Sequence, residues 1–114
     1  MSYENFRGTY YLNEDKTYEP CDTVTWGAQC VEMRQNDTKH VGSTKLEGKW
    51  VSTVWLGLDH QSGDGEPLLF ETMVFTNDSP RKDIYMQRYT TWQEAEEGHK
   101  RAIAWVKNGC KDED

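Results

Sequence analysis

Two long apolar runs face each other across one loop between Trp50 and Thr76, and the remaining chain is organised around them. Trp50 to Leu58 and Pro67 to Phe75 are rich in Val, Trp, Leu, Phe and Thr, and the intervening DHQSGDGE holds two glycines and three acids. That composition predicts a central β-hairpin. Side chains alternate along a strand, so Val51, Thr53 and Trp55 point one way and Ser52, Val54, Leu56 and Leu58 the other. Both faces carry apolar residues. Helices are expected to cover one face. A partner chain, the amino-terminal segment or only a few aromatic residues would cover the second.

Around this hairpin the pattern predicts further elements. Thr9 to Leu12 reads as a brief edge strand in an otherwise polar segment from residue 1 to 20. Asp22 is a good helix N-cap, and Trp26, Cys30 and Met33 then recur at helical spacing, with Val24, Ala28 and Val31 broadening the stripe. A helix over about 23–35 follows, with a strand as the competing reading because Thr23, Val24, Thr25 and Gly27 are poor helix formers. Gln35-Asn36-Asp37 breaks the chain, Thr38 to Leu46 is a polar outer strand, and Glu47-Gly48 is a two-residue turn into Lys49. That turn sets Val41 opposite Val54 and His40 opposite Trp55.

After the turn at Asn77 to Pro80, Asp83 to Tyr89 alternates again as a strand. Thr91-Trp92-Gln93-Glu94 has the form of a capping box. The helix it opens puts Trp92, Ala95, Ala102, Ile103 and Val106 on one stripe, gathers Glu94, Glu96 and Glu97 early and Lys100, Arg101 and Lys107 late, and stops at Gly109. Lys111 to Asp114 reads as a solvated tail. The predicted architecture is α+β: an antiparallel meander of three to four strands with helices packed on one face, a two-layer sandwich formed by a single domain over 1–114.

Composition narrows the function. A net charge of −7 with scattered Lys and Arg disfavours nucleic acid and anionic membranes, and favours a basic protein groove as partner. Three cysteines, no signal peptide and no apolar run of transmembrane length point to a reducing cytosol. The Asn-X-Ser/Thr matches at Asn36 and Asn77 are then only turn chemistry. Cys21, Cys30 and His40 lack the spacing of a zinc site, and neither metal nor cofactor is implied. The loop acids Asp59, Asp64 and Glu66 do not have EF-hand spacing and read as a solvated turn.

Four residues are candidates for chemistry. His99 lies on the apolar stripe of the last helix, and Glu71 interrupts an apolar strand; such positions need a partner or a shifted pKa. Arg88 and His60 complete a possible cluster, read as an anion-binding or acid–base site, or as a network pinning helix to sheet. His60, Glu71 and His99 are the catalytic candidates within it. Trp50, Trp55, Tyr85 and Tyr89 are candidate interface aromatics, for core packing or for self-association as a homodimer. No nucleophile elbow, P-loop or HExxH motif is present in the sequence.

The segments VSTVWLGLDH (51–60), PLLFETMVF (67–75) and RYTTWQEAEEGH (88–99) resemble a family of small bacteriophage and prophage proteins. The matching positions include Asp59, His60, Glu71, Thr72, Arg88, Tyr89, Trp92, Glu94 and His99. The resemblance implies a phage or prophage origin and no particular reaction; typical members have a plainer first segment than residues 1–49 here. Together these features favour a binding protein that blocks a host defence component, its partner a host protein or a small anionic ligand, in the bacterial cytoplasm. The alternatives are a hydrolase or nuclease using the His/Glu site and an oligomerising accessory module.

Overall fold

The computed structural model describes residues 8–46, 48–59, 65–76 and 79–110. Its elements run β1 (Thr9–Leu12), β2 (Tyr18–Cys21), α1 (Thr23–Asn36), β3 (His40–Leu46), β4 (Lys49–Trp55), β5 (Phe70–Thr76), β6 (Ser79–Tyr89) and α2 (Trp92–Lys107). The four longer strands form one antiparallel sheet in the order β3-β4-β5-β6, and β1 and β2 form a separate two-stranded hairpin. The fold is α+β, as the periodicity predicts. The expected tail at Lys111 to Asp114 lies outside the described residues.

The segment around β1 is better ordered than its polar composition suggests. β1 pairs with β2, Thr9 bridges to Leu58, and Gln29 of α1 ties the helix to the hairpin. The Gln29 side-chain oxygen accepts from Leu12 N at 3.0 Å and its amide donates to Leu12 O at 2.9 Å. A buried polar side chain is tolerated there because it satisfies both backbone groups of an edge strand. Asp22 caps α1 by accepting from Thr25 N at 2.8 Å, and Asp37 ends it in the left-handed conformation. The apolar stripe is narrower than expected. Met33 is buried and Trp26 and Cys30 are half-buried, whereas Val24 and Val31 are 80% and 52% exposed.

Register in the meander follows the turn up to a bulge. Leu46 pairs with Lys49 and Ser43 with Ser52, as a two-residue turn requires, but His40 pairs with Val54 and not Trp55. The extra residue is Val41, which leaves the ladder and packs on the core cluster, while Trp55 N bonds Lys39 O at 2.9 Å. β6 begins earlier than predicted, at Ser79.

α2 lies across one face of the sheet and packs on all four strands. Its capping box is formed: Thr91 Oγ1 accepts from Glu94 N at 3.1 Å and Glu94 Oε1 accepts from Thr91 N at 3.3 Å. Beneath it are two apolar clusters, one with Trp55, Leu69, Phe70, Tyr89 and Ala95, the other with Val51, Val74 and Ala102. Leu69, Phe70, Val51 and Val74 are fully buried, each worth roughly 1.5–3 kcal/mol of apolar burial.

Alternation along β5 decides which side chains meet α2. Phe70, Thr72, Val74 and Thr76 are buried, while Glu71, Met73 and Phe75 are half-buried on the opposite face. The expectation of an aromatic interface is corrected here. Trp55 and Tyr89 are 4% and 7% exposed within the core beneath α2, and Tyr85 packs on Trp105 with ring centroids 4.9 Å apart. Of the four, Trp50 alone belongs to the other face. It lies 5.4 Å from the Phe75 ring and donates its indole N–H to Ser43 Oγ at 2.9 Å.

Candidate functional site

The proposed four-residue cluster does not assemble. Thr72 faces α2, so its neighbour Glu71 faces away, and the carboxylate and the His99 imidazole lie on opposite sides of the sheet. His60 lies outside the described residues.

His99 joins a chain of hydroxyls instead. Its Nδ1 is 2.7 Å from Thr53 Oγ1 and its Nε2 is 2.9 Å from Thr44 Oγ1, while Thr53 Oγ1 is 2.5 Å from Thr72 Oγ1. The chain therefore runs from β3 through α2 to β4 and β5. A neutral imidazole has one N–H donor and one acceptor, and either tautomer orders this chain in a consistent direction. The ring fits because position 42 is glycine: a Cβ there would stand 2.8 Å from the imidazole. Burial pushes the His99 pKa below its ordinary value, and the nearby His40 adds to the shift.

The chain's far end approaches Tyr89. Its hydroxyl is buried close to Thr72 and Arg101 without the geometry of a hydrogen bond to either, and burial raises its pKa. Residue type alone does not mark Thr44 or Thr53 as site residues, and Thr72 enters only as one of the positions of the sequence resemblance. A signal existed: Thr53 shares a face with Val51 and Trp55, and a hydroxyl on an apolar face needs a partner such as His99.

On the other face, Arg88 Nε donates to Glu71 Oε2 at 2.9 Å across the β5–β6 pair, with side chains 31% and 12% exposed. This is a cross-strand ion pair. Glu71→Ala is expected to lower stability by about 1 kcal/mol, as for a partly exposed pair, and not to unfold the chain. A urea titration checks it; a loss above about 3 kcal/mol would mean that the pair behaves as buried.

Two features sit at the periphery. Asp59 is buried, 1% exposed, and accepts from Leu68 N at 3.1 Å, so this loop acid is not the solvated group its glycine-rich context suggests. A polar cleft of about 380 Å³ along β6 and α2 is lined by Gln87, Arg88, Thr90, Glu94, Glu97 and Arg101. Glu94 is already engaged by the backbone amides of Thr90 and Thr91, and the lining has no uniform charge. The cysteines Cys21, Cys30 and Cys110 are free. No protein-family model matches the chain, and neither a curated protein nor a solved structure does so.

Proposed function

We propose that this is a small acidic binding protein of phage or prophage origin that inhibits a host antiviral defence component by stoichiometric binding in the bacterial cytoplasm. The observation that carries this reading is the separation of the polar candidates. His99 is held between threonines under α2, and Glu71 is paired with Arg88 on the far face. General acid–base chemistry needs a titratable group within reach of substrate, and neither residue has that freedom.

A surface supports binding better. On the sheet face away from α2, Trp50, Val54, Met73 and Phe75 are half-buried and Met86 is 48% exposed, with the Glu71–Arg88 pair at one end. An apolar centre with a polar margin suits a protein partner. The charge of −7 favours a basic one. Among the described residues, no helix is long and apolar enough to cross a membrane.

The test is tagged expression in a phage-sensitive host, followed by mass measurement of the purified assembly. A complex of fixed stoichiometry with one host protein is expected, weakened by salt and at least roughly tenfold by Met86→Asp at the half-exposed position. Turnover of a substrate that is lost in His99→Gln at unchanged melting temperature would overturn the reading, as would a complex indifferent to both salt and Met86→Asp.

A further inference from the structure

We propose that the cleft between the β1–β2 turn and the start of α2 binds a small planar aromatic anion. The cleft measures about 430 Å³ and is lined by Lys16, Thr17, Tyr18, Thr91, Trp92 and Gln93. That volume is within the range of small-molecule sites. Its two aromatic walls are fixed from behind: Trp92 meets Phe70 edge-on at 6.1 Å, and Tyr18 meets Tyr10 edge-on at 5.6 Å and Trp55 at 6.1 Å. Such walls favour a flat ring, which covers them at little entropic cost.

The charge of the ligand follows from the lining. Lys16 is its one charged side chain, with Nζ 4.4 Å from the centre of the Trp92 ring. Of the neighbouring carboxylates, Asp15 accepts from the Thr17 backbone N–H at 3.1 Å and from the Thr17 hydroxyl, and Glu94 accepts from the amides of Thr90 and Thr91. Glu66 lies on the Tyr18 side, where burial and then its charge raise the Tyr18 pKa. The Lys16 ammonium is the lining's one cation, and beside two aromatic rings it selects a ring that carries a phosphate or carboxylate. Lys16 Nζ covers the Trp92 ring face, so the ligand ring lies against Tyr18 and the edge of Trp92 with its anionic group at Nζ. None of the residues assigned to the protein-binding face takes part, so the two readings stand or fall separately.

The experiment follows the Trp92 indole N–H and the Lys16 to Tyr18 amides by NMR in the full chain, using two pairs of probes. Adenosine 5′-monophosphate is compared with adenosine, and indole-3-acetate with indole; inorganic phosphate is the ringless control. Saturable shifts centred on Trp92 are expected with at least one of the two anions, its neutral counterpart binding roughly tenfold more weakly and phosphate alone not at all. The anion that binds distinguishes a purine phosphate from an indole carboxylate. Lys16 has φ 75°, a conformation asparagine tolerates, so Lys16→Asn removes the charge without disturbing the turn. It should weaken the anion roughly tenfold and leave the neutral probe unchanged, and Gln93→Trp, which fills the cleft, should abolish both. Absence of saturation up to about 10 mM, equal binding of charged and neutral probes, or shifts with phosphate alone would each overturn the proposal.

Discussion

Gly98→Ala is expected to destabilise the protein by about 3 kcal/mol or more, although the same change in an isolated helix would stabilise it by about 1 kcal/mol. The opposition comes from packing. A Cβ at position 98 would stand 2.2 Å from both Cζ and the hydroxyl oxygen of Tyr89. That ring cannot retreat, because Tyr89 is 7% exposed and clustered with Leu69, Phe70 and Ala95. The helix must lift from β6 or the ring must leave the core. Tyr89→Leu should cost a few kcal/mol by itself, about 2–4, through the cavity it leaves. In that background Gly98→Ala should become neutral or stabilising, since the clashing atoms are gone. Urea midpoints of the four proteins give the coupling directly. Additive losses in the double variant would show that the glycine serves something other than ring clearance.

This contact also marks where the sequence is readable. The meander, the capping box at Thr91 to Glu94 and the turn-set register from Leu46 to Ser43 all follow from local rules, because short-range hydrogen bonds and alternation determine them. Long-range pairings are less visible. Val41 leaves the ladder for a cluster built from distant segments, and no local feature of His40-Val41-Gly42 announces the bulge. Glycines 42 and 98 look like flexibility in one dimension, whereas in the fold each clears space for one ring. Glu71 lies away from His99 for a simpler reason. An acid within an apolar run invites burial with a histidine, yet alternation with Phe70 and Thr72 puts it on the opposite face, where Arg88 is its register partner. The same alternation separates Trp50 from Trp55. Adjacent residues of these strands thus serve different faces, and a list of polar positions is not a site until alternation has sorted it.

Acidification should weaken the fold through His99, and the sign follows from its surroundings. Its folded pKa is lowered, so between the folded value and the ordinary imidazole value of about 6.5 the unfolded chain binds more protons. The contribution is complete above about pH 6.5 and is lost as pH falls through the folded value. Among the described residues no carboxylate bonds the ring: its two nitrogens meet Thr44 and Thr53, with Gly42 against its edge. An imidazolium there has hydroxyl acceptors and, among the described residues, no counter-ion, and the nearby His40 lowers the His99 pKa further. Urea midpoints taken at pH 7.5, 6 and 5 should therefore fall steadily. His99→Gln retains an amide that reaches a hydroxyl and removes the titration, so its stability should be lower at pH 7.5 but flatter toward pH 5. His99→Leu should cost more, about 2 kcal/mol or above, because it leaves buried hydroxyl positions without a partner. Asp15 and Asp22, whose pKa values are lowered by their Thr17 and Thr25 hydrogen bonds, titrate at more acidic pH and do not enter this window. A slope that survives in His99→Gln would place the acid sensitivity outside His99 and remove the main reason for treating the threonine chain as the polar centre of the fold.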